Sequence, residues 1–327
     1  MSLASISPVL LILWIRPHLL ERQIVHLRQS RTPKIYVSID GPREKNVTDR
    51  ELIERTVSEV HRLIDWDCDL FIRTNEKNQG GCKYAVINAI NWVFSMEKEA
   101  IILEDDCIPT SKFLDFTSKM LNKYADDTRI WSVSGSLRYP QSSYLRQSYY
   151  FSIYPDPWGW ATWRRCWDGF TGSVPSWSEC KSTKLFDHIF HSRNAVRYWT
   201  KIIDKLASSP SSDVWDYYWF YYSWINNGLT IQPFENLIEN AGTYVNSNSA
   251  THVFYGFQRY NAKLFAKIDV NNIIHPSIIT SNFFLDSITF SKVYGGYSVK
   301  IRFFINKYLH KFKDYLSYSL SLLFGGK

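Results

Sequence analysis

The sequence lacks the cysteine spacing of disulfide frameworks and of zinc ribbons, because its five cysteines are an odd number and form no Cys-x-x-Cys pair. Such cysteines are typical of reduced thiols in a cytoplasmic protein. The N-terminal apolar run, residues 8–15, has neither a basic leader nor a small-residue cleavage site, and we expect no signal peptide. The run is also too short to cross a bilayer. We therefore expect a cytoplasmic protein in which this run is a buried strand.

Nucleic-acid motifs and internal repeats are missing as well, so the net charge of +7 needs another explanation. Most of the excess lies in residues 292–327, where seven Lys and Arg residues accompany one acid, Asp314, for a net charge of +6. Aromatic and aliphatic residues interleave with these charges, which predicts a basic amphipathic helix. Such a helix lies on the inner face of the cell membrane, or it packs on the domain with a solvated basic face.

Strands and helices alternate in the first half of the chain. Strands are predicted at residues 8–14, 34–39, 70–73 and 100–103. Helices are predicted from Pro17, from a cap at Thr48, over residues 84–94, and over residues 111–125 with a cap at Thr110 or Ser111. This alternation predicts an α/β fold with a Rossmann-like, mainly parallel sheet flanked by helices. Ligands of such sheets bind at the carboxyl ends of the strands.

The second half, from about Tyr149 to His252, has weak periodicity and many aromatic residues. We expect an irregular subdomain there, and three regions overall: residues 1–148, 149–260 and 261–327. Trp158, Trp160 and Trp163 fall in one glycine-containing segment. Their rings are suited to stacking on a sugar, and they are equally suited to packing between subdomains.

Three consecutive acids, Glu104, Asp105 and Asp106, follow the fourth predicted strand. Burying them without a counter-charge would be costly. A divalent cation removes that cost, and Mg²⁺ or Mn²⁺ bound through carboxylates and substrate phosphates is a common arrangement. The alternative is a solvated acidic turn that caps the next helix.

A second carboxylate of interest, Asp216, lies among aromatic residues. Partial burial among rings raises a carboxyl pKa towards that of a useful general base. Asp213 competes for this role, because residues three positions apart in a helix lie on a similar face. Glu179 is a third choice.

Anion-binding residues are predicted in two further places. Lys83 follows Gly80-Gly81-Cys82 and precedes a helix, an arrangement that favours phosphate, although a plain surface lysine has the same pattern. Ser249 and Thr251 could donate to phosphate oxygens if their loop closes over a ligand. His252 is a candidate metal or diphosphate ligand, or else a structural histidine.

The run IILEDDCIPTSKFLDF resembles the acidic motif of GT-A glycosyltransferases, and more narrowly of the N-acetylglucosaminyltransferases that begin complex N-glycans, with their bacterial relatives. Other segments resemble that family in the same order, over residues 8 to about 260. They are Arg16 (near the donor base), Asp40 (on uracil), residues 154–163 (acceptor side), Trp215-Asp216 (catalytic base) and residues 236–252 (loop over the diphosphate).

The resemblance implies a GT-A fold and a metal-dependent, inverting transfer of a sugar, N-acetylglucosamine in the closest members, from a UDP-sugar to a hydroxyl group. It implies Asp216 as base and Asp106 with His252 at Mn²⁺ or Mg²⁺. Donor contacts are implied for Arg16, Asp40, Lys83, Glu104, Asp105, Ser249 and Thr251, and acceptor contacts for Trp158, Trp160 and Trp215. The acceptor would be a glycan, a lipid-linked oligosaccharide or a glycoprotein. A metal-dependent phosphohydrolase and a non-catalytic carbohydrate-binding protein on the same fold are the alternatives.

Overall fold

Four parallel strands and their connecting helices make up the first part of the computed structural model, which describes residues 6–44, 46–138, 146–209, 212–243 and 268–294. The strands are β1 (Val9–Leu13), β2 (Lys34–Ile39), β3 (Asp69–Thr74) and β4 (Glu99–Glu104). The helices between them are α1 (Pro17–Gln29), α2 (Val47–Leu63) and α3 (Cys82–Met96). The predicted alternation is confirmed here, and the strands lie parallel in the order β3-β2-β1-β4.

The rest of the described chain adds six strands and seven α-helices. The strands are β5 (Cys107–Pro109), β6 (Ile130–Ser134), β7 (Tyr149–Ser152), β8 (Trp160–Trp163), β9 (Leu229–Pro233) and β10 (Ile238–Asn240). The helices are α4 (Ser111–Lys123), α5 (Arg164–Trp167), α6 (Trp177–Ser182), α7 (Leu185–Ile189), α8 (Arg193–Ser208), α9 (Asp216–Ile225) and α10 (Phe283–Thr289). A 3₁₀ turn at Ala241–Thr243 follows β10, and a π-helical turn at Phe290–Tyr294 follows α10.

Eight of the strands form one mixed sheet in the order β3-β2-β1-β4-β8-β6-β9-β7, and β5 pairs with β10 in a small second sheet. Strand β8 lies antiparallel between β4 and β6, while β6 and β9 are parallel. The α/β class with a mixed sheet flanked by helices is therefore confirmed. The division at residues 148 and 149 stays a prediction, and the sheet runs across it.

The prediction of irregular structure after Tyr149 is wrong for the described residues. Strands β7, β8 and β9 belong to the main sheet, and α8 is an amphipathic helix of 16 residues. The strands have only four or five residues and are almost wholly buried, which makes them too short to be distinguished by their pattern of apolar and polar residues. The buried face of α8, by contrast, has helical spacing that was visible in the sequence, at Ala195, Trp199, Ile203 and Leu206.

Two helix starts differ from prediction. The cap of α2 is Asn46 rather than Thr48, because Oδ1 of Asn46 accepts from the Thr48 backbone N–H at 3.2 Å. Helix α3 begins at Cys82 rather than at residue 84, which places Lys83 in its first turn. The predicted cap of α4 is confirmed at Thr110, whose Oγ1 accepts from the Phe113 N–H at 3.2 Å.

The core lies between the sheet and its helices. All five residues of β1 are buried, and the predicted apolar faces of α1 and α3 pack in the same cluster. Each such side chain contributes about 1.5–3 kcal/mol by leaving water. Among the described residues, no helix combines the length and apolar character needed to cross a membrane. Because strands β1 to β4 are parallel, their carboxyl ends lie at one edge of the sheet.

Candidate functional site

An ion-paired acidic edge lies where β1 and β4 end. Glu104 is the last residue of β4, and Asp105 and Asp106 form the turn that leads to β5. Nη1 of Arg16, which follows the neighbouring strand β1, donates to Oδ1 of Asp105 at 2.7 Å and to Oδ2 of Asp106 at 3.0 Å. All four side chains remain partly open to solvent. The sequence placed these residues at one strand edge but did not predict their ion pairs.

Negative charge at this edge exceeds what Arg16 balances. Burial raises the pKa of the Glu104 carboxyl well above its usual range, and the charges of Asp106, Asp105 and Asp216 add to that rise. Burial also raises the pKa of Asp105 to about 6, against the opposing effect of the Arg16 guanidinium. A cation or a hydrogen-bond donor entering this edge would therefore relieve unfavourable charge.

Asp216, the predicted base, is the first residue of α9 and is partly exposed. Its Oδ1 accepts from the Tyr217 backbone N–H at 2.9 Å. Burial raises the pKa of its carboxyl, while the Arg138 guanidinium opposes the rise. Because its charge also acts on Glu104, Asp216 lies near the acidic edge, on a different element. We call Arg16, Glu104, Asp105, Asp106 and Asp216 the acidic cleft.

Asp213 does not share a helical face with Asp216, so that prediction is wrong. It lies in the non-helical segment before α9 and is exposed. Its Oδ1 accepts from the backbone N–H of Lys83 at 3.1 Å, in the first turn of α3. Asp213 thus satisfies a helix N-terminus. Glu179 lies exposed on α6.

The N-terminus of α3 borders the same cleft. Gly80 and Gly81 have φ values of +92° and +120°, and a Cβ on Gly81 would overlap the Asp213 carboxylate. Burial and the charges of four surrounding acids raise the pKa of the Cys82 thiol; these acids are Glu104, Asp213, Asp105 and Asp216. Sequence reasoning missed Cys82 as a cleft residue, although the Gly-Gly pair before it was a signal.

Lys83 is not a surface lysine. It is only 5% exposed, and its Nζ lies 3.9 Å from the centroid of the Tyr218 ring on α9. Burial lowers the pKa of its ammonium group. Lys83 therefore helps to join α3 to α9 beside the cleft.

Asp40, directly after β2, is buried and already bonded to the loop that precedes α3. It accepts from the Gly41 N–H at 2.9 Å, from Asn78 Nδ2 at 2.7 Å and from the Gln79 N–H at 3.1 Å. Burial raises the pKa of its carboxyl, and these bonds oppose the rise. Asp40 lies at the predicted strand edge and shapes the loop there.

A buried ion pair, which the sequence did not predict, acts on the Asp216 carboxyl through its charges. Arg138 and Asp156 form two hydrogen bonds of 2.8 Å, and both side chains are buried. The guanidinium also lies 3.9 Å from the ring centroid of Trp158. Its charge lowers the pKa of Asp216, whereas that of Asp156 raises it. The pair comes from two loops, so no spacing in the sequence predicts it.

The predicted tryptophan platform needs correction. Trp160 is 1% exposed, and Trp215 is also buried, with a ring centroid 5.9 Å from that of Trp160. Trp163 is buried as well. These rings pack in the core and offer no free face to a sugar. Trp158 alone of the predicted set is partly exposed, and Arg138 covers one of its faces.

The loop predicted to close over a diphosphate begins beside Asp106. The Ala241 N–H donates to the Asp106 carbonyl at 2.8 Å, and a Cβ on Gly242 would overlap the Asp106 carboxylate. The predicted residues Ser249, Thr251 and His252 lie outside the described part of the chain. Within the described part, no group of three or more His, Cys, Asp or Glu side chains is placed to hold a metal.

The cleft as a whole combines an acidic edge, one arginine and a separate carboxylate on the opposite helix. That arrangement can bind a cation or a hydroxyl-rich ligand, and it can accept a proton at Asp216. Comparison with known protein families finds no match to the chain, and neither does comparison with curated proteins. The geometry and chemistry of the cleft therefore carry the functional argument.

Proposed function

We propose that the protein is a GT-A glycosyltransferase that moves a sugar from a UDP-sugar to a hydroxyl group of an acceptor. One observation carries the proposal. Arg16, Asp40 and the acids that end β4 follow three adjacent parallel strands, at the edge where sheets of this kind bind nucleotides. Asp216 faces the acids from a different element, α9. A donor site and a separate proton acceptor are the two parts that such a transfer needs.

Mn²⁺ or Mg²⁺ fits the donor set at this edge. The acids offer carboxylate oxygens, which these hard cations prefer, and Arg16 offsets only part of their charge. Asp106 would hold the cation together with the donor's phosphates and His252, and such a site needs no cluster of three described ligands. The bound cation would offset charge that develops on the departing UDP.

The chain's own residues then bind the donor and move one proton. Arg16 would contact the nucleoside, with Asp40 shaping the loop beside it, and Ser249 and Thr251 would contact the diphosphate. Lys83, which is buried against Tyr218, would stabilise the N-terminus of α3 at this site. Asp216 would take the proton from the acceptor hydroxyl group while the oxygen of that hydroxyl group bonds to the anomeric carbon of the donor sugar. The bond from that carbon to the UDP oxygen breaks, and UDP leaves with the electron pair. This single displacement inverts the anomeric configuration.

The environment of Asp216 supports the base role. Burial raises the pKa of its carboxyl, which makes it a stronger base than an exposed aspartate, and the Arg138 guanidinium opposes that rise. Asp213 is the weaker candidate, because its oxygen is already engaged by the N-terminus of α3. Of the tryptophans predicted for the acceptor side, Trp158 keeps surface that can contact an acceptor glycan, whereas Trp160 and Trp215 are buried.

Thermal unfolding of the full chain with a panel of nucleotide sugars, with and without Mn²⁺, tests the proposal. A ligand present at 100 times its Kd stabilises the folded state by about 2.7 kcal/mol. We expect one UDP-sugar, with N-acetylglucosamine tried first, to raise the Tm only when Mn²⁺ is present. Stabilisation by free glycans and by no nucleotide sugar would instead support the non-catalytic sugar-binding protein. Hydrolysis of the nucleotide sugar at its diphosphate, which gives UMP and a sugar phosphate, would support a phosphohydrolase.

A further inference from the structure

Strand β3 is an open edge of the main sheet. It stands first in the strand order, and among the described residues it pairs with β2 alone. The side chain of Phe71, in the middle of the strand, is 40% exposed. An unpaired edge strand is a template for a further strand, and Lys or Pro residues often block such edges. Strand β3 contains neither, so its edge remains suited to pairing.

The main-chain groups of β3 alternate between the β2 side and the open side. The Asp69 N–H donates to the Pro33 carbonyl, on the β2 side, at 2.8 Å. Because successive residues of a strand direct these groups to opposite sides, the N–H and C=O groups of Leu70 and Ile72 point away from β2. They are the groups that a further strand would meet.

The strand is also complementary to itself in charge. It reads Asp-Leu-Phe-Ile-Arg-Thr, with an acid two positions before Phe71 and a cation two positions after it. When two copies lie antiparallel and centred on Phe71, Asp69 of each copy is opposite Arg73 of the other. In the same register Leu70 is opposite Ile72, and the two residues exchange their outward N–H and C=O groups. One register therefore satisfies both the charges and the main chain.

Neighbouring registers lose this match. Centring the antiparallel pair on Leu70 places Asp69 opposite Phe71, and centring it on Ile72 places Arg73 opposite Phe71. A parallel pair in register would place Asp69 beside Asp69, and like charges directly opposite each other are destabilising. The charge pattern thus favours the antiparallel pair that is centred on Phe71.

Neither Asp69 nor Arg73 forms an ion pair with another described residue. The Arg73 Nη2 donates to Ser38 Oγ at 3.2 Å and to the Asn88 carbonyl at 3.1 Å, and the guanidinium lies 4.9 Å from the ring centroid of Trp92. Burial lowers the pKa of this guanidinium, and its Nε has no hydrogen-bond partner in the described part of the chain. A carboxylate from a second copy would favour the charged form.

We propose that β3 pairs with β3 of a second copy of this chain, antiparallel and centred on Phe71, so that the two main sheets join across a two-fold axis. One surface then serves both copies, as a two-fold interface requires. Two ion pairs between Asp69 and Arg73 flank the two Phe71 rings. Six residues on each side are fewer than the about 20–30 of a standard interface, so we expect a reversible dimer. The proposal does not depend on the reaction proposed for the acidic cleft.

Sedimentation velocity of the full chain over a range of concentrations tests this pairing. We expect a monomer–dimer equilibrium for the unaltered chain. Asp69→Arg and Arg73→Asp each place like charges opposite each other at two positions, and each should raise the dissociation constant at least about tenfold. A mixture of these two variants again has opposite charges at both positions, so it should form dimers more tightly than either variant alone. Asp126→Arg, which reverses an exposed acid outside β3, should dimerise as the unaltered chain does.

A cysteine variant tests the register without reversing a charge. In Phe71→Cys the two introduced sulfurs meet at the axis, and mild oxidation should link two copies by a disulfide. Val47→Cys is the control, at a position that is 89% exposed, and should link copies far more slowly. The proposal is overturned if the unaltered chain stays monomeric at every concentration, if Asp69→Arg dimerises as tightly as the unaltered chain, or if the two cysteine variants form disulfides at the same rate.

Discussion

The acidic cleft and the tryptophan-rich core beside it differ in how their side chains meet solvent. In the cleft, charged side chains are partly open, and partial burial together with neighbouring like charges raises the pKa values of the Glu104 and Asp105 carboxyls. In the core, the largest rings have almost no exposed surface; they are Trp160, Trp199, Trp219 and Trp224. We call these four rings the tryptophan core. Tryptophan residues, which are typical of sugar-binding sites, therefore mostly pack in the core of this protein. The short run of acids, by contrast, remains partly open to solvent.

The tryptophan core explains why this half of the chain needs so many aromatic residues. The ring of Trp219, for example, has its centroid within 6.4 Å of the centroids of five neighbouring rings. They are those of Trp131, Trp160, Trp167, Phe170 and Tyr222. Buried aromatic side chains remove large apolar areas from water, and paired rings add about 0.5–1.5 kcal/mol each. The cleft is supported from behind by this packing, since α9 carries both Asp216 and Trp219.

The largest effect should come from Asp216→Asn. The variant keeps the shape of the side chain but cannot accept a proton, so release of UDP from the donor should fall about 10²–10⁴-fold. Donor binding and Tm should stay close to those of the unaltered protein. Asp213→Asn is the matched control, and it should reduce turnover far less. A greater loss in the Asp213 variant would assign the base to Asp213.

Trp219→Ala should have the largest effect on stability. Removing a fully buried tryptophan leaves a cavity and costs about 3–5 kcal/mol. Chemical denaturation measures this loss, and Trp158→Ala serves as the comparison because its ring is partly exposed. Equal losses in the two variants would contradict the separation of core from surface.

The raised pKa of a carboxyl group does not by itself mark a reactive site, and Asp286 shows this. Burial raises its pKa to about 7, yet it bonds to Ser152 and Ile153 outside the acidic cleft. Between pH 4 and pH 7 the folded state holds a proton that the unfolded state has lost. This group's contribution to stability is therefore present at low pH and is lost as pH rises through about 7.

Asp286→Asn should remove that pH dependence. In the unaltered protein the Ser152 hydroxyl and the Ile153 N–H both donate to the Asp286 carboxyl. In the variant, the amide oxygen can accept from the Ile153 N–H, and the Ser152 hydroxyl can turn to accept from the amide nitrogen. We expect the variant to be about 2–4 kcal/mol more stable than the unaltered protein at pH 8, and equal to it near pH 4. Unfolding curves at the two pH values measure the difference. A variant that is less stable at both values would show that Asp286 is ionised in the folded protein.

The sequence predicted the structure of residues 1–148 better than that of residues 149–260, for physical reasons. Strands β1, β2 and β4 are apolar runs separated by helices with buried apolar faces, so their positions follow from local patterns. Strand β8 reads Trp-Ala-Thr-Trp, is buried throughout, and pairs with residues of β4 that lie 58 to 64 positions earlier in the chain. Nothing local in those four residues identifies a central strand of the main sheet.

The same distinction applies to the site. The position of the acids at a strand end was visible, because the apolar run of β4 stops at Glu104. The Arg138–Asp156 pair and the contact of Asp213 with the α3 N-terminus join segments 18 and 130 residues apart. Such contacts depend on the packing of loops, which one sequence does not encode in any local pattern.

Calorimetric titration of UDP into the protein, with and without Mn²⁺, tests the metal-dependent donor site most directly. The unaltered chain and an exposed-acid control, Asp126→Asn, should bind UDP only with Mn²⁺, and Asp106→Asn should weaken that binding at least about tenfold, or about 1.4 kcal/mol. UDP affinity that is the same without the metal, or unchanged in the Asp106 variant, would contradict a cation held between Asp106 and the donor diphosphate.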